Sequence, residues 1–149
     1  ASCLKKMRYD FIWFIIGEGE LKEQLLADRR ERKLEDRVRF IGTRENPYPY
    51  IKNADVVVQT SRHEGKSIVL DEAKILNKLI VCTSYDTVKD QLIDGKEGVI
   101  SSFEAQAFAK SIVSLLDDKN KMNEIIGYLS AHEYGNEQVI ELYYHLFQV

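Results

Sequence analysis

Apolar runs of strand length alternate with helical patterns along this chain. The run from Asp10 through Phe11, Ile12, Trp13, Phe14, Ile15 and Ile16 is aromatic and β-branched, and it stops at Gly17. Residues 37–41 stop at Gly42, 55–59 carry three successive valines, and 79–83 read Leu-Ile-Val-Cys-Thr. Gly98-Val99-Ile100 is a shorter candidate. Runs with so little alternation predict strands covered on both faces, as in a parallel sheet. Between them the spacing predicts helices over 20–33, 67–76, 87–93, 103–116, 119–129 and 138–147. Leu21, Leu25 and Leu26 mark an apolar face on the first, and Phe108, Ile112, Leu115 and Leu116 on the fourth, for which Ser101 and Ser102 are cap candidates. Residues 42–50 read as a loop stiffened by Pro47 and Pro49. The alternation implies α/β architecture: a Rossmann-like parallel sheet flanked by helices, in one domain spanning 1–149 without linker or repeat. Residues 1–7 look like the end of a helix rather than the opening strand of such a sheet. The expectation is therefore that the first strand is missing and that the chain is a piece of a longer protein.

Composition narrows the class only modestly. With 149 residues the chain can bury a core, and 44% hydrophobic with 30% charged residues is the balance of an ordinary globular protein. A net charge of -3 argues against a broad nucleic-acid surface. The basic cluster at Arg29, Arg30, Arg32 and Lys33 interleaves with Glu31 and Glu35 and reads as a solvated helix face. Two cysteines give no disulfide framework, and Cys82 lies inside an apolar run as a buried thiol would; a reducing cytoplasm fits. The longest apolar run is too short to span a bilayer and no signal peptide is evident, which leaves peripheral membrane contact open.

The chemistry-bearing residues fall on loops at the carboxyl ends of the predicted strands, where open α/β sheets bind ligands. Gly17-Glu18-Gly19-Glu20 permits a tight turn or close ligand approach, and a bare G-x-G serves either purpose. In the 42–50 loop, Arg44 and the tyrosines suit stacking on a base or simple packing. The third loop runs from Ser61 through Arg62, His63, Glu64, Gly65 and Lys66 to Ser67. Its Gly65-Lys66-Ser67 imitates the end of a P-loop, yet Thr60 stands where that motif needs glycine. His63 has no partner that would mark it as a base. The opening of a helix near Ser67 carries unpaired N–H groups and partial positive charge, which suit phosphate. Glu64 and Glu72 bracket that opening, and carboxylates accept well from sugar hydroxyls. On spacing alone, the two read more simply as a helix-terminal charge and a solvated helix residue.

The combination of motifs resembles the C-terminal, nucleotide-sugar-binding domain of GT-B fold glycosyltransferases, in the large retaining family four. The hallmark Glu-x7-Glu after a strand ending in Ser stands here as Ser61…Glu64-Gly65…Glu72-Ala73. The family's glycine loop is similar to residues 17–20, its V-x-F-x-G to Val38-Arg39-Phe40-Ile41-Gly42, and its D-G-x-x-G to Asp94-Gly95…Gly98. The form of residues 65–73 looks most like bacterial capsule and other surface-polysaccharide transferases. The resemblance implies that Glu64 contacts the donor sugar near the reacting carbon as the catalytic glutamate, and that Glu72 accepts from the ribose hydroxyls. It implies a diphosphate on backbone N–H groups of Lys66, Ser67 and Ile68 beside Gly65, with Gly17, Gly42, Thr43 and Arg44 bordering the nucleotide. No metal or cofactor is expected beyond the nucleoside-diphosphate sugar itself. Lys66-Ser67 departs from the aromatic-glycine pair of the family, and the family's basic diphosphate clamp and acceptor-binding N-terminal domain would precede residue 1. Weak nucleotide binding and no transfer by this chain alone are the resulting expectations, at a cytoplasmic site or the inner face of the membrane. The alternative is a non-catalytic Rossmann-like nucleotide- or partner-binding module, in which the two glutamates have no ligand role.

Overall fold

Each of the five apolar runs forms a strand in the computed structural model, which describes residues 1–134. They are β1 (Trp13–Ile16), β2 (Val38–Gly42), β3 (Val56–Gln59), β4 (Leu79–Thr83) and β5 (Val99–Ser101). Helices α1 (Ser2–Lys6), α2 (Lys22–Glu31), α3 (Tyr48–Asn53), α4 (Ile68–Ile75), α5 (Ala105–Asp117) and α6 (Lys119–Ser130) alternate with them. The helix expected over 138–147 lies outside the described residues. Every pairing is parallel, as the unalternating runs imply.

β4 shows why that pattern arises. All five of its residues are buried, because β3 and β5 flank it and helices cover both faces. Leu79 and Val81 face a core built with Leu4, Phe108, Ile112, Leu115, Ile125 and Leu129 from α1, α5 and α6. Ile80 and Cys82 face a second core with Leu70 and Ala73 of α4 and with Tyr85, Val88 and Leu92. This alternation is the period of two expected of a strand.

Among the described residues the strands form two sheets, β1–β2 and β3–β4–β5, rather than one. Trp13 of β1 and Val56 and Val58 of β3 nevertheless pack against the same core, so one helical layer spans both sheets. Between the sheets lies a cavity of about 550 Å³, lined by Trp13, Thr60, Leu4, Phe108 and Ile112 among others. On the exposed side of β1, Ile12, Phe14 and Ile16 are 45%, 46% and 37% accessible.

Several local expectations need correction. Residues 42–50 are not wholly loop: α3 begins within them, with Pro47 and Pro49 at its start, where a helix has no need of their missing N–H groups. Neither Ser101 nor Ser102 caps α5; the cap position is Glu104. Ser101 belongs to β5, and its hydroxyl accepts from that of Ser111 at 3.0 Å. Only a 3₁₀ turn, Val88–Asp90, forms within 87–93; beyond it the Ile93 N–H donates to Glu97 Oε2 at 2.7 Å in place of a helical carbonyl. No residue of α2 is buried, and its leucines did not predict a core face. Arg29 instead lies over the Phe40 ring at 5.7 Å and donates to the Val38 carbonyl at 3.2 Å.

The Asp94-Gly95…Gly98 segment is explained by packing. Asp94 Oδ1 accepts from the Ile100 N–H at 2.9 Å, and Gly95 takes a left-handed φ of 78°. A Cβ on Gly98 would lie 2.8 Å from the Ile80 carbonyl oxygen and 2.9 Å from Ile80 Cβ. Gly98→Ala is therefore expected to destabilise the fold by about 1–3 kcal/mol through overpacking against backbone that cannot yield. Urea unfolding at constant m-value measures this, and a change within experimental error would contradict the packing argument.

Candidate active site

β3 ends on a polar residue although three valines precede it, and that residue organises the loop beyond. Strand alternation puts Gln59 on the same face as Val57, toward α4. Its Nε2 donates to Glu64 Oε1 at 3.1 Å and to Ser61 Oγ at 3.4 Å, while its Oε1 accepts from the Ser67 hydroxyl at 2.8 Å. Ser61 Oγ donates to the same Glu64 Oε1 at 2.6 Å. One carboxylate oxygen of Glu64 is thus fixed by two donors. Oε2 has no hydrogen-bond partner among the described residues. The Glu64 main chain is held as well, its carbonyl accepting from Thr87 Oγ1 at 2.7 Å. Thr83, at the end of β4, donates its hydroxyl to the Ser61 carbonyl.

α4 starts at the end of this loop. Ser67 occupies the N-cap position with extended φ and ψ of -89° and 107°, yet its side chain caps nothing in the helix. None of the described residues accepts from the N–H groups of Ile68 and Val69, whose side chains are 70% and 44% exposed. The Ser67 N–H is not free. It donates to Gln91 Oε1 at 2.6 Å. Lys66 Nζ pairs with Asp71 at 3.3 Å, and the buried Lys74 approaches the same carboxylate at 3.4 Å. Glu72, one turn into the helix, is half-buried, and its carboxylate makes no hydrogen bond or ion pair with the described residues.

The glycine loops of the other sheet are joined to each other. Gly17 N–H donates to the Gly42 carbonyl at 3.0 Å, and both residues take positive φ, 122° and 68°. The register of β1 on β2 slips between Ile15 and Ile16, so Ile41 is the extra residue of a bulge and Gly42 resumes the pairing opposite Ile16. A Cβ at Gly42 would lie 3.1 Å from Glu18 Oε1, which Lys22 also holds at 2.8 Å. Thr43 and Arg44 are exposed. Arg44 Nε donates to the Tyr50 hydroxyl at 3.2 Å, and Tyr50 in turn meets the Phe14 ring at 6.4 Å.

The structure therefore brings Glu64, Gly65 and Ser67 into one hydrogen-bonded cluster and joins Gly17 to Gly42. No hydrogen bond links the two groups among the described residues. Sequence reasoning missed Gln59, Thr83, Thr87 and Gln91, all of which hold the Glu64 loop. The signal was available for two of them: a polar residue closing an otherwise apolar strand, Gln59 on β3 and Thr83 on β4. His63, with Arg62, Thr60 and Asp86, lines the mouth of the cavity between the sheets.

A fixed carboxylate beside an uncapped helix start, at the carboxyl ends of parallel strands, is the arrangement of an α/β domain of the doubly wound class, in which ligands bind at that end of the sheet. Residues 1–131 match the family described as glycosyl transferases group 1, and the chain belongs to that family. The fold matches GT-B glycosyltransferase structures. It superposes on Staphylococcus aureus TarM, solved with UDP, with a TM-score of 0.83, 24% identity and coverage of 99% of this chain and 31% of that one. Anabaena HepE in complex with UDP-glucose gives 0.73 at 25% identity, covering 80% of this chain and 35% of that one. In sequence, the chain is 34% identical over 92 residues to an N-acetylgalactosaminyltransferase of Campylobacter jejuni that acts on a diphospho-undecaprenol-linked sugar, covering 62% of this chain and 25% of the relative. It is 26% identical over 111 residues to the lipopolysaccharide core glycosyltransferase LpsE of Rhizobium meliloti, covering 74% of this chain and 32% of the relative. The chain thus spans about a quarter to a third of the length of these relatives.

Under the α4 loop, burial pushes the Cys82 thiol up to about 12 and the Tyr85 phenol, also near the Glu64 and Asp71 charges, up to about 12. The folded protein keeps both protons where the unfolded chain, with ordinary values of 9.0 and 10.0, gives them up. Stability is expected to fall as pH rises from about 9 toward 12, with no contribution from these groups below that window. Urea midpoints read across pH 8–11 measure it; a flat profile would contradict the assignment. Cys82 is likewise expected to resist thiol reagents at pH 8 until the protein unfolds.

Proposed function

We propose that this chain is the donor-binding part of a retaining glycosyltransferase. The full-length enzyme would move a sugar from a nucleoside-diphosphate donor to a glycan or lipid-linked acceptor in bacterial surface-polysaccharide synthesis. The carrying observation is the start of α4, where uncapped N–H groups lie between Glu64, oriented by Gln59 and Ser61, and an unpartnered Glu72. Membership of the glycosyl transferase group 1 family supports the reading over a non-catalytic module. So do the UDP and UDP-glucose complexes of its structural neighbours, and relatives that build lipopolysaccharide and lipid-linked glycans.

In this reading the N–H groups of Ile68 and its neighbours meet the diphosphate, and the charge that grows on it as the glycosidic bond breaks is stabilised there. That chemistry calls on no cofactor or metal. Glu72 accepts from the ribose, Glu64 Oε2 from the sugar, and Gly17, Gly42, Thr43 and Arg44 border the base. Lys66 must leave Asp71 if it is to reach a phosphate. The remaining length of the enzyme would supply the acceptor-binding domain and a strand to bridge β1 and β3. It would work in the cytoplasm, against the inner face of the membrane. No helix among the described residues is long and apolar enough to cross a membrane.

Titration of the chain with UDP, GDP and UDP-sugars tests the reading. Binding is expected to be weak, and transfer absent, without the acceptor domain. Glu72→Ala should lower affinity for UDP about tenfold or more, the loss of hydrogen bonds to a charged acceptor. Glu64→Ala should spare UDP and weaken the UDP-sugar. Affinities unchanged in both variants would defeat the site assignment, and turnover by the isolated chain would defeat the division of labour.

A further inference from the structure

A serine at an N-cap position ordinarily accepts from the N–H two or three residues on, here that of Val69 or Leu70. Ser67 makes no such bond. Its hydroxyl is drawn inward to Gln59 Oε1 at 2.8 Å, and its N–H donates to Gln91 Oε1 at 2.6 Å. Gln91 comes from the segment after β4 and also holds the preceding turn: its Nε2 donates to the Gly65 carbonyl at 3.1 Å. The same Nε2 is steadied by the Thr87 carbonyl and hydroxyl, each at 3.2 Å. The Gln91 carbonyl, in turn, accepts from Lys74 of α4 at 2.8 Å. One side chain therefore closes both ends of the Gly65–Ser67 turn, donating at one and accepting at the other. Ser67, 4% exposed, is fixed at each of its polar side-chain and N–H groups.

Such an arrangement has a chemical result. A Ser67 free to rotate would cap its own helix and consume one of the donors in the first turn. Held from two sides, it leaves those of Ile68 and Val69 available to an anion. Gln91 satisfies the buried Ser67 N–H with a neutral acceptor, so no fixed negative charge is set against a phosphate there. We propose that Gln91 is a positioning residue for the phosphates of the nucleotide. It fixes the turn from Gly65 to Ser67, and with it the position of the first N–H groups of α4, while Gln59 draws the Ser67 hydroxyl away from the helix. The proposal rests on the reading of α4 as the phosphate site. It assigns Gln91 no contact with the sugar or base.

The measurement is the ratio of affinities for UDP and uridine in the wild-type chain, Gln91→Leu, Gln91→Asn and Gln91→Glu. Amide exchange at Ser67 is followed in the same samples. The wild type is expected to prefer UDP. Gln91→Leu should lose Ser67 amide protection and reduce the UDP-to-uridine ratio about tenfold while leaving uridine affinity unchanged. Gln91→Asn, too short to reach both ends of the turn, should behave similarly and serves if the leucine variant does not fold. Gln91→Glu keeps the acceptor but loses the donor to Gly65 and sets a charge against the phosphates, so it should recover Ser67 protection without recovering the ratio. An unchanged ratio in the leucine or asparagine variant, or equal losses for UDP and uridine, would overturn the role given to Gln91. A wild type without preference for UDP would instead overturn the phosphate site itself.

Discussion

A primary amide can accept from a hydroxyl with one terminal atom and donate to a carboxylate with the other, and Gln59 uses both ends at once. Its oxygen holds Ser67 and its nitrogen holds Glu64, so the last residue of β3 ties the start of α4 to the carboxylate that precedes it. Neither a longer charged side chain nor an apolar one could do this at a 9% exposed position. Because β3 pairs with the fully buried β4, the amide inherits the rigidity of the core. Thr83 and Thr87 then secure the loop from the far side. The geometry of Glu64 is thus set by strand packing, not by the loop sequence alone.

The parts of the fold visible in the sequence were those that burial dictates. β4 matches its apolar run residue for residue because every position is enclosed, and α6 matches its pattern because Ile125 and Leu129 fill the same core as Leu79 and Val81. Features set by individual polar atoms were not visible. Ser101 looked like a cap, but a strand position and Ser111 claimed its hydroxyl. The 87–93 helix gives way to a short turn in which the Ile93 N–H goes to the Glu97 carboxylate. The leucines of α2 repeat at helical spacing, yet none of its residues is buried. At the site, the Glu64–Glu72 spacing gave the correct helix opening, whereas Gln91 carries no mark in the sequence. Its importance depends on a tertiary approach that only folding creates.

Two kinds of glycine are at work in the motifs. Gly17 and Gly42 have backbone angles unsuited to other residues and are joined by their own hydrogen bond beyond the ends of β1 and β2. Gly98 has no such angle, but no space for a Cβ against Ile80. The first kind shapes a turn, the second seals the sheet. A motif spelled with one letter therefore mixes turn geometry with packing, and only the local surroundings separate them.

The division of the strands into two sheets carries a cost in solution. Among the described residues β1 pairs only with β2 and β3 only with β4, so each presents toward one gap an unpaired row of backbone donors and acceptors on a strand rich in β-branched and aromatic residues. Ile12, Phe14 and Ile16 add apolar surface at the first edge, with no lysine, proline or inward charge between Ile12 and Ile16 to discourage addition of another strand. Bare edges of this kind template cross-chain pairing, so the colloidal behaviour of the domain is governed by whatever fills that gap. Solubility and assembly are in this way coupled to the seam that separates the two sheets.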